Sequence, residues 1–322
     1  MSRPGAARGS LRAAKPTRAY STVAAYVSNG LSENTKRAYA ADLRHFKRWG
    51  GCVPATPVIV ARYLVSCAKT LKVSTLTRRL AAIAHAHAAR GLASPTQSML
   101  IRATMRGIKR VHGIGQTQAK PVTLAMLRAM VRRRACYSKA RNARDRALLL
   151  VGFSGGFRRS ELVGIEDTDL QFSHAGVSIT LRRSKTDPHG RGRTVALPYC
   201  RGTLCPVKAL KSWLAESHAQ KLDERCHAVF RRVDRYGRIG DALGDAAVGL
   251  ILKDRIRACG IPSHGFSAHS LRAGLITAAA KAGATTWAIQ RQTGHRSEST
   301  VHRYIRELSP FARNASSFAI GA

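Results

Sequence analysis

The sequence predicts a mainly α-helical protein with two domains and a small β-hairpin in the second domain. Three observations indicate this fold class: 322 residues suit two domains, apolar residues recur at helical spacing, and the segment Gly113–Gln118 interrupts all periodicity. The predicted organisation is a disordered basic arm over 1–20, a helical domain over 21–112, a linker over 113–120, and a second domain with a C-terminal tail over 121–322.

Four short helices account for the first domain. Ser32 and Thr56 are typical N-cap residues, and Thr56 is followed by a proline, which favours the first turn of a helix. We expect the third helix to begin at Ser74 and the fourth to begin at Ser94 and reach about Val111.

The second domain combines helices with one hairpin. Apolar and polar residues alternate over Val177–Leu181 and again over Arg193–Leu197, and Asp187–Gly190 between them has the composition of a turn. Further helices are predicted after Thr123, over about Ala143–Val151, from Pro206, over Ala246–Cys259, after Ser267, over Ala284–Gln292, and around Tyr304.

A net charge of +38 makes nucleic acid the expected partner. Residues 1–120 hold 21 Lys and Arg against two acids, a net of +19, and the remainder carries another +19. Such a surface binds a polyanion with an affinity that falls as salt rises. A membrane surface is the rival polyanion, although no apolar run approaches the ~18 residues that span a bilayer. The basic residues expected to face DNA from the helical domain are Lys36, Arg37, Arg78, Arg79, Arg106, Lys109 and Arg110.

The seven cysteines do not suggest a disulfide framework. Their number is odd and their spacing is irregular in a long chain, which favours free thiols in a reducing compartment. Cys200, Cys205, Cys226 and His227 match no standard spacing of zinc ligands. We therefore expect no metal and no cofactor.

Two arginines stand where a phosphate could be held. Arg158 and Arg272 each lie beside a predicted helix start, where backbone amides also face anions. Forked guanidinium donors match two phosphate oxygens and stabilise the extra negative charge of a pentacoordinate phosphorus. Glu161, three residues after Arg158, could orient a neighbouring basic side chain. Each of these residues, taken alone, also fits an ordinary solvated surface.

Two histidines, a lysine and a tyrosine complete the candidate site. His269 precedes Arg272 by three residues, so both point to one side of a helix, and His269 can exchange protons near neutral pH. His295 follows a glycine at a helix end and could donate to a second oxygen. Tyr304 could attack phosphorus as a phenolate, and Lys185, beside the hairpin turn, could protonate the leaving 5′ oxygen. Alone, each fits packing or a DNA contact, and only their combination favours chemistry.

Together these residues resemble the tyrosine recombinase (phage integrase) family. The resemblance rests on Gly-Phe-Arg-Arg-Ser-Glu-Leu around Arg158, His-Ser-Leu-Arg ending at Arg272, Gly-His ending at His295, and Tyr304 nine residues later. The helical module is similar, less specifically, to the family's core-binding domain. The second domain would then be the family's catalytic domain, in a two-domain layout similar to that of Cre-type and Xer-type members.

The resemblance implies a site-specific DNA recombinase that cleaves through a covalent 3′-phosphotyrosine and exchanges strands through a Holliday junction. The implied roles are phosphate binding for Arg158, Arg272 and His295, support for Glu161, proton transfer for His269, general acid catalysis for Lys185, and nucleophilic attack for Tyr304. A type IB topoisomerase and a non-catalytic DNA-binding protein remain as alternatives, and integrase, resolvase and transposon roles are not separated.

The resemblance also implies an assembly on double-stranded DNA with inverted-repeat sites. A dimer would occupy each site, and a homotetramer would hold two synapsed sites. The apolar tail residues Phe311, Phe318 and Ile320 would dock into a neighbouring protomer or pack on their own domain. The enzyme would act in the cytoplasm of a bacterium, at the nucleoid, and be of bacterial or phage origin.

Overall fold

The computed structural model describes residues 30–115, 118–133, 138–182, 192–220, 226–295 and 297–305. The chain divides into two compact units, Met1–Gln116 and Thr117–Ala322. The predicted basic arm, the hairpin turn with Lys185, and the C-terminal tail lie outside the described residues.

Four α-helices form the described part of the first unit: α1 Glu33–Arg48, α2 Pro57–Ala68, α3 Val73–Ala88 and α4 Met99–His112. A 3-10 turn precedes α4. Ser32 and Thr56 cap α1 and α2 as the sequence predicts, each accepting a backbone N–H three residues later. The helices bury an apolar core that includes Phe46, Tyr63, Leu64, Leu76 and Ile101.

Two of the helix starts predicted for the first unit are wrong. Helix α3 begins at Val73 after Lys72, so Ser74 lies inside its first turn and caps nothing. Ser94 caps only the 3-10 turn, whereas Ser98 caps α4 by accepting the N–H of Ile101 at 3.3 Å. Several hydroxyl residues stand within a few positions of each start, and packing of the helix decides which of them faces the unpaired amides.

The second unit is built mainly from helices around one buried central helix, α6. Helix α6 contains a run from Ala147 to Val151 with 0% exposure, so it is surrounded by protein on every side. The described helices are α5 Leu124–Arg132, α6 Lys139–Gly155, α7 Arg159–Val163, α8 Pro206–His218, α9 Asp245–Ala258, α10 His269–Lys281, α11 Thr286–Thr293 and α12 Glu298–Ile305. This mainly α-helical fold with small sheets confirms the predicted fold class.

Helix α6 extends four residues beyond its predicted bounds at each end. Its first turns carry charged residues that look solvated in the sequence but are buried here. Asp145, which is 2% exposed, accepts from Arg144 at 2.6 Å and from Arg255 at 3.0 Å. Because these ion-paired residues are buried, this part of the helix lacks the solvent-exposed polar face of an amphipathic helix. Hydrophobic periodicity therefore underestimates the length of the helix.

A three-stranded antiparallel sheet covers one side of the helices, with strands β1 Leu170–Phe172, β2 Gly176–Leu181 and β3 Arg193–Pro198 in spatial order. The predicted hairpin corresponds to β2 and β3, in a register that pairs Ile179 with Val195 and Leu181 with Arg193. Arg193 therefore lies at the end of the hairpin that adjoins the segment connecting β2 to β3. The sequence did not predict β1, nor the pair β4 Arg231–Val233 and β5 Ile239–Ala242, because strands of three or four residues carry little periodicity.

Among the described residues, no helix combines the length and apolar character needed to cross a membrane. The same residues include no group of three or more His, Cys, Asp or Glu side chains arranged to hold a metal ion. The six cysteines within them are free thiols.

Candidate active site

Arg272 lies at the centre of the site and is 1% exposed. Its position in the first turns of α10 lets Nη1 donate to the carbonyl of Gly156 at 2.6 Å and Nη2 donate to Nε2 of His295 at 2.9 Å. Burial, and next the positive charge of Arg158, lower the pKa of Arg272 to about 10. Arg272 therefore keeps its positive charge at neutral pH, although its surroundings disfavour that charge.

Gly156 makes this arrangement possible by ending α6 in the left-handed conformation, with φ of 57°. A Cβ atom at this position would lie 2.8 Å from the side chain of Leu275 and 2.9 Å from that of Thr293. Glycine is therefore required both for the backbone angle and for the close approach. The turn presents its carbonyl to Arg272 and leads the chain to Arg158.

Arg158 is the N-cap of α7 and is held there by Glu161. The Glu161 carboxylate accepts the backbone N–H of Arg158 at 3.0 Å and its guanidinium at 2.5 Å. Only 2% of the Glu161 side chain is exposed, against 19% for Arg158. The carboxylate thus orients a neighbouring guanidinium, which is the function predicted from the spacing.

Arg193 is a member of the site that the sequence did not predict. Its Nη1 donates to the carbonyl of Gln292 at 2.8 Å, and its Nη2 lies 3.4 Å from the Glu161 carboxylate. Burial lowers its pKa, and the nearby Arg158 lowers it further. One carboxylate therefore faces several guanidinium groups and the pocket keeps a net positive charge. In the sequence, Arg193 looks like any basic residue at a strand end, so no signal identifies it.

Tyr304 brings its hydroxyl to within 2.5 Å of Nε2 of His269. Tyr304 lies on α12 and is 9% exposed, because its ring packs with Ile276 and Val301. His269 retains exposed surface, yet partial burial lowers its pKa, and the positive charges of Arg272 and Arg158 lower it further. A neutral imidazole in contact with a phenol can accept the phenolic proton.

Ser267 does not cap α10 as predicted, because Ala268 is the N-cap residue and offers no side-chain bond. The hydroxyl of Ser267 nevertheless accepts the N–H of His269 at 3.3 Å. The bond stabilises the first turn of α10, which carries both His269 and Arg272.

His295 lies in the turn after α11, opposite Arg272. Its Nδ1 is 2.7 Å from the hydroxyl of Thr293, and Gly294 between the two residues is left-handed, with φ of 68°. Burial lowers the pKa of His295 to about 3, with further contributions from the positive charges that surround it. The structure therefore brings together six predicted residues: Arg158, Glu161, His269, Arg272, His295 and Tyr304. Lys185 lies outside the described residues.

Arg79 does not face outward as predicted. It is 7% exposed, with its Nε 3.7 Å from Asp42 and its guanidinium 5.6 Å from the ring centre of Tyr63. Arg78, which forms two hydrogen bonds with the same carboxylate, is half-exposed. The other basic residues predicted to contact DNA from this unit are exposed or partly exposed: Lys36, Arg37, Arg106, Lys109 and Arg110. Helical spacing could not identify Arg79 as buried because its partner lies on another helix.

The position of Arg79 predicts that Asp42→Ala destabilises the first unit by about 3 kcal/mol, since it leaves a buried guanidinium without its carboxylate. Urea unfolding, followed by hydrogen exchange of the amides in α1–α4, measures this change. Glu33→Ala is the matched control on the same helix. It removes an exposed pair with Lys36 and should leave the free energy of unfolding nearly unchanged. Equal effects of the two substitutions would contradict the role of Asp42.

The fold and this site are those of a class of DNA strand-transfer enzymes. Comparisons with known proteins identify the family within this class. A sequence model of the phage integrase family matches residues 125–309. An integrase/recombinase described as a XerD homologue, from Selenomonas ruminantium, is 36% identical over 299 residues, which cover 88% of this chain and 84% of that protein.

Two solved structures have the same fold. One is the XerH site-specific recombinase bound to a palindromic difH substrate in a post-cleavage complex, with 18% identity, a TM-score of 0.64, and coverage of 88% of this chain and 79% of that chain. The other is a lambda integrase tetramer bound to a Holliday junction, with 13% identity, a TM-score of 0.61, and coverage of 87% and 73%.

The chain belongs to the phage integrase family. It is a tyrosine site-specific recombinase, a DNA-binding enzyme of recombination and integration, and not the topoisomerase or non-catalytic DNA-binding protein that the residues alone left open.

Proposed function

We propose that this recombinase cuts double-stranded DNA through a covalent 3′-phosphotyrosine on Tyr304 and exchanges strands through a Holliday junction. Its substrate would be a pair of inverted-repeat sites, with two protomers on each site and four on the synapsed pair. The lambda integrase neighbour, a tetramer on a Holliday junction, supports this assembly by analogy of fold. The symmetry of inverted repeats also matches a dimer on each site.

The contact of 2.5 Å between the Tyr304 hydroxyl and Nε2 of His269 carries the proposal. In the proposed step, the phenolic proton moves to His269 and the phenolate oxygen bonds to phosphorus. The P–O bond to the 5′ oxygen breaks, and Lys185 supplies the proton that this leaving oxygen takes. Arg158 and Arg272 hold the non-bridging oxygens and stabilise their increased charge.

Unsatisfied donors in the pocket support the binding of an anion there. Within the described residues, the buried Nε atoms of Arg272 and Arg193 have no hydrogen-bond acceptor. Buried polar groups almost always have partners, and a guanidinium can only donate. A phosphate would bring a negative charge to this group of donors, which offsets the burial and the repulsion from Arg158 that lower the pKa of Arg272.

The domain organisation suggests a division of work. We propose that residues 21–112 act as the core-binding domain and that 121–322 act as the catalytic domain. Because residues 1–120 carry a net charge of +19, this part would contribute much of the phosphate-backbone affinity. The exposed bases Arg106, Lys109 and Arg110 on α4 are the residues proposed to contact DNA there.

A nicked suicide substrate, built from the repeats that flank the gene, tests the proposed function. Cleavage releases a short strand that cannot religate, so the covalent protein–DNA adduct accumulates and is seen on a denaturing gel. We expect the adduct to form at a comparable rate in excess EDTA, because guanidinium, imidazole and ammonium groups supply the positive charge at the phosphate. A reaction that stops on chelation and recovers with magnesium would contradict the mechanism.

The proposed acid, Lys185, has a separate test. Lys185→Ala should slow cleavage of normal DNA by about 10²-fold or more, because the 5′ oxygen then leaves unprotonated. The variant should regain most of its rate on DNA with a 5′-bridging sulfur, since sulfur leaves readily without a proton. Absence of rescue would make Lys185 a DNA contact only.

A further inference from the structure

Thr293 belongs to a chain of hydrogen bonds that runs from Arg272 to the carbonyl of Ile289. Nη2 of Arg272 lies 2.9 Å from Nε2 of His295, and Nδ1 of His295 lies 2.7 Å from Oγ1 of Thr293. The Thr293 hydroxyl in turn donates to the carbonyl of Ile289 at 2.6 Å. Thr293 is 0% exposed, so no water competes for these bonds.

The donors and acceptors of this chain have one consistent assignment. A guanidinium has hydrogens and no acceptor, so Nε2 of His295 must accept from Arg272. A neutral imidazole that accepts at Nε2 carries its hydrogen on Nδ1, which then donates to the Thr293 hydroxyl. That hydroxyl directs its own hydrogen to the Ile289 carbonyl, which can only accept. Without DNA, the nitrogen of His295 that faces Arg272 therefore carries no hydrogen.

We propose that Thr293 is a positioning residue that fixes this tautomer of His295, so that His295 donates to the scissile phosphate only after its Nε2 takes up a proton. The proposal rests on the proposed function, which places that phosphate beside Arg272. When phosphate oxygens accept from Arg272, Nε2 loses its donor and gains a proton from solvent. Nδ1 keeps its bond to Thr293, so the resulting imidazolium has a partner for both hydrogens.

The charges around His295 make proton uptake depend on phosphate. The described groups that face it are the guanidiniums of Arg272, Arg158 and Arg193, the imidazole of His269, and the phenol of Tyr304, whose ring centre is 6.2 Å away. The carboxylate of Glu161 opposes these charges but is already bound by Arg158 and Arg193.

Burial and these positive charges lower the pKa of His295 to about 3, so the imidazole is neutral before phosphate binds. A phosphodiester brings a negative charge to the place where the positive charges concentrate and raises the pKa of His295. Cleavage by the wild type should therefore fall as pH rises through the pKa that His295 has in the complex.

Nitrogen NMR of the full-length protein with ¹⁵N-labelled histidine shows which ring nitrogen of His295 carries the hydrogen. The signals of His295 are assigned by their absence from the spectrum of His295→Gln. For the DNA-free protein we expect a protonated Nδ1 and a bare Nε2. For Tyr304→Phe bound to uncut DNA, we expect both nitrogens of His295 to be protonated. A bare Nδ1 in the DNA-free protein, or a neutral His295 in the complex, would overturn the proposal.

Substitution of Thr293 gives a second measurement. Thr293→Val keeps the shape but removes the acceptor of Nδ1–H, so in the complex the neutral imidazole can carry its hydrogen on Nε2 and donate to phosphate without taking up a proton. The descending limb of the pH–rate profile should then shift upward or flatten, so that above the wild-type limb the variant cleaves about 10- to 100-fold faster than the wild type. Thr293→Ser retains the hydroxyl and should restore the wild-type limb.

A matched background separates this effect from structural damage. In His295→Gln, the side chain does not titrate, so adding Thr293→Val should leave the pH profile of that variant unchanged. An unshifted limb in Thr293→Val alone, or the same shift in the His295→Gln background, would refute the role of Thr293. Failure of the proposed function would give a different result. The wild type would then form no covalent adduct, while NMR would still show the tautomer of His295 in the DNA-free protein.

Discussion

Tyr304→Phe is expected to abolish covalent trapping on the nicked suicide substrate, with a loss of about 10⁴-fold or more. The substitution removes the oxygen that is proposed to bond to phosphorus. It also removes the partner of His269, whose Nε2 lies 2.5 Å from the hydroxyl. The ring remains packed with Ile276 and Val301, so the fold of α12 should be retained.

DNA affinity provides the control for this variant. Affinity comes from charge dispersed over the chain, and Tyr304→Phe changes no charge at neutral pH. Binding curves at two salt concentrations should therefore match those of the wild type within about twofold. A Phe variant that still forms the adduct would show that Tyr304 is not the nucleophile.

Arg272→Lys is expected to lower the rate of cleavage by about 10²- to 10³-fold, although it conserves the charge type. A lysine has no forked donors, so it cannot hold the Gly156 carbonyl, His295 and a phosphate oxygen together. The same burial that lowers the pKa of Arg272 to about 10 would lower the pKa of a lysine, which starts nearer to neutrality. Adduct formation in single-turnover conditions measures the loss.

The control is Arg257→Lys, which conserves charge at an exposed position on α9 where the guanidinium pairs with Asp254. We expect it to cleave at the wild-type rate. The pH–rate profile adds a second criterion: the activity of Arg272→Lys should decline more steeply with rising pH than that of the wild type, because the lysine also loses its proton. Cleavage by Arg272→Lys within about threefold of the wild type would contradict the central position assigned to Arg272.

Local features of the sequence were enough to predict the mainly α-helical class, several helix starts and the candidate catalytic residues. Thr56 and Thr123 cap their helices because an N-cap depends on residues within one turn. The spacings between His269 and Arg272 and between Arg158 and Glu161 place each pair on one side of a helix turn for the same reason. Information confined to a few neighbouring residues can be read without the fold.

Features that depend on distant residues were decided only by the tertiary structure. Arg79 looks like a surface base, but packing against another helix buries it beside Asp42. Arg193 enters the site because its partners, Glu161 and Gln292, are 32 and 99 residues away along the chain. No local pattern encodes such a contact.

The protonation state of His295 was also beyond the sequence. Histidine ordinarily titrates near pH 6.5, which predicts a switch near neutrality. Burial and guanidinium groups from three separate elements lower its pKa to about 3, and the hydroxyl of Thr293 determines which nitrogen holds the hydrogen. The sequence determined which chemical groups this recombinase possesses. Only the fold decided which of them meet away from water, where charge and hydrogen bonding set their reactivity.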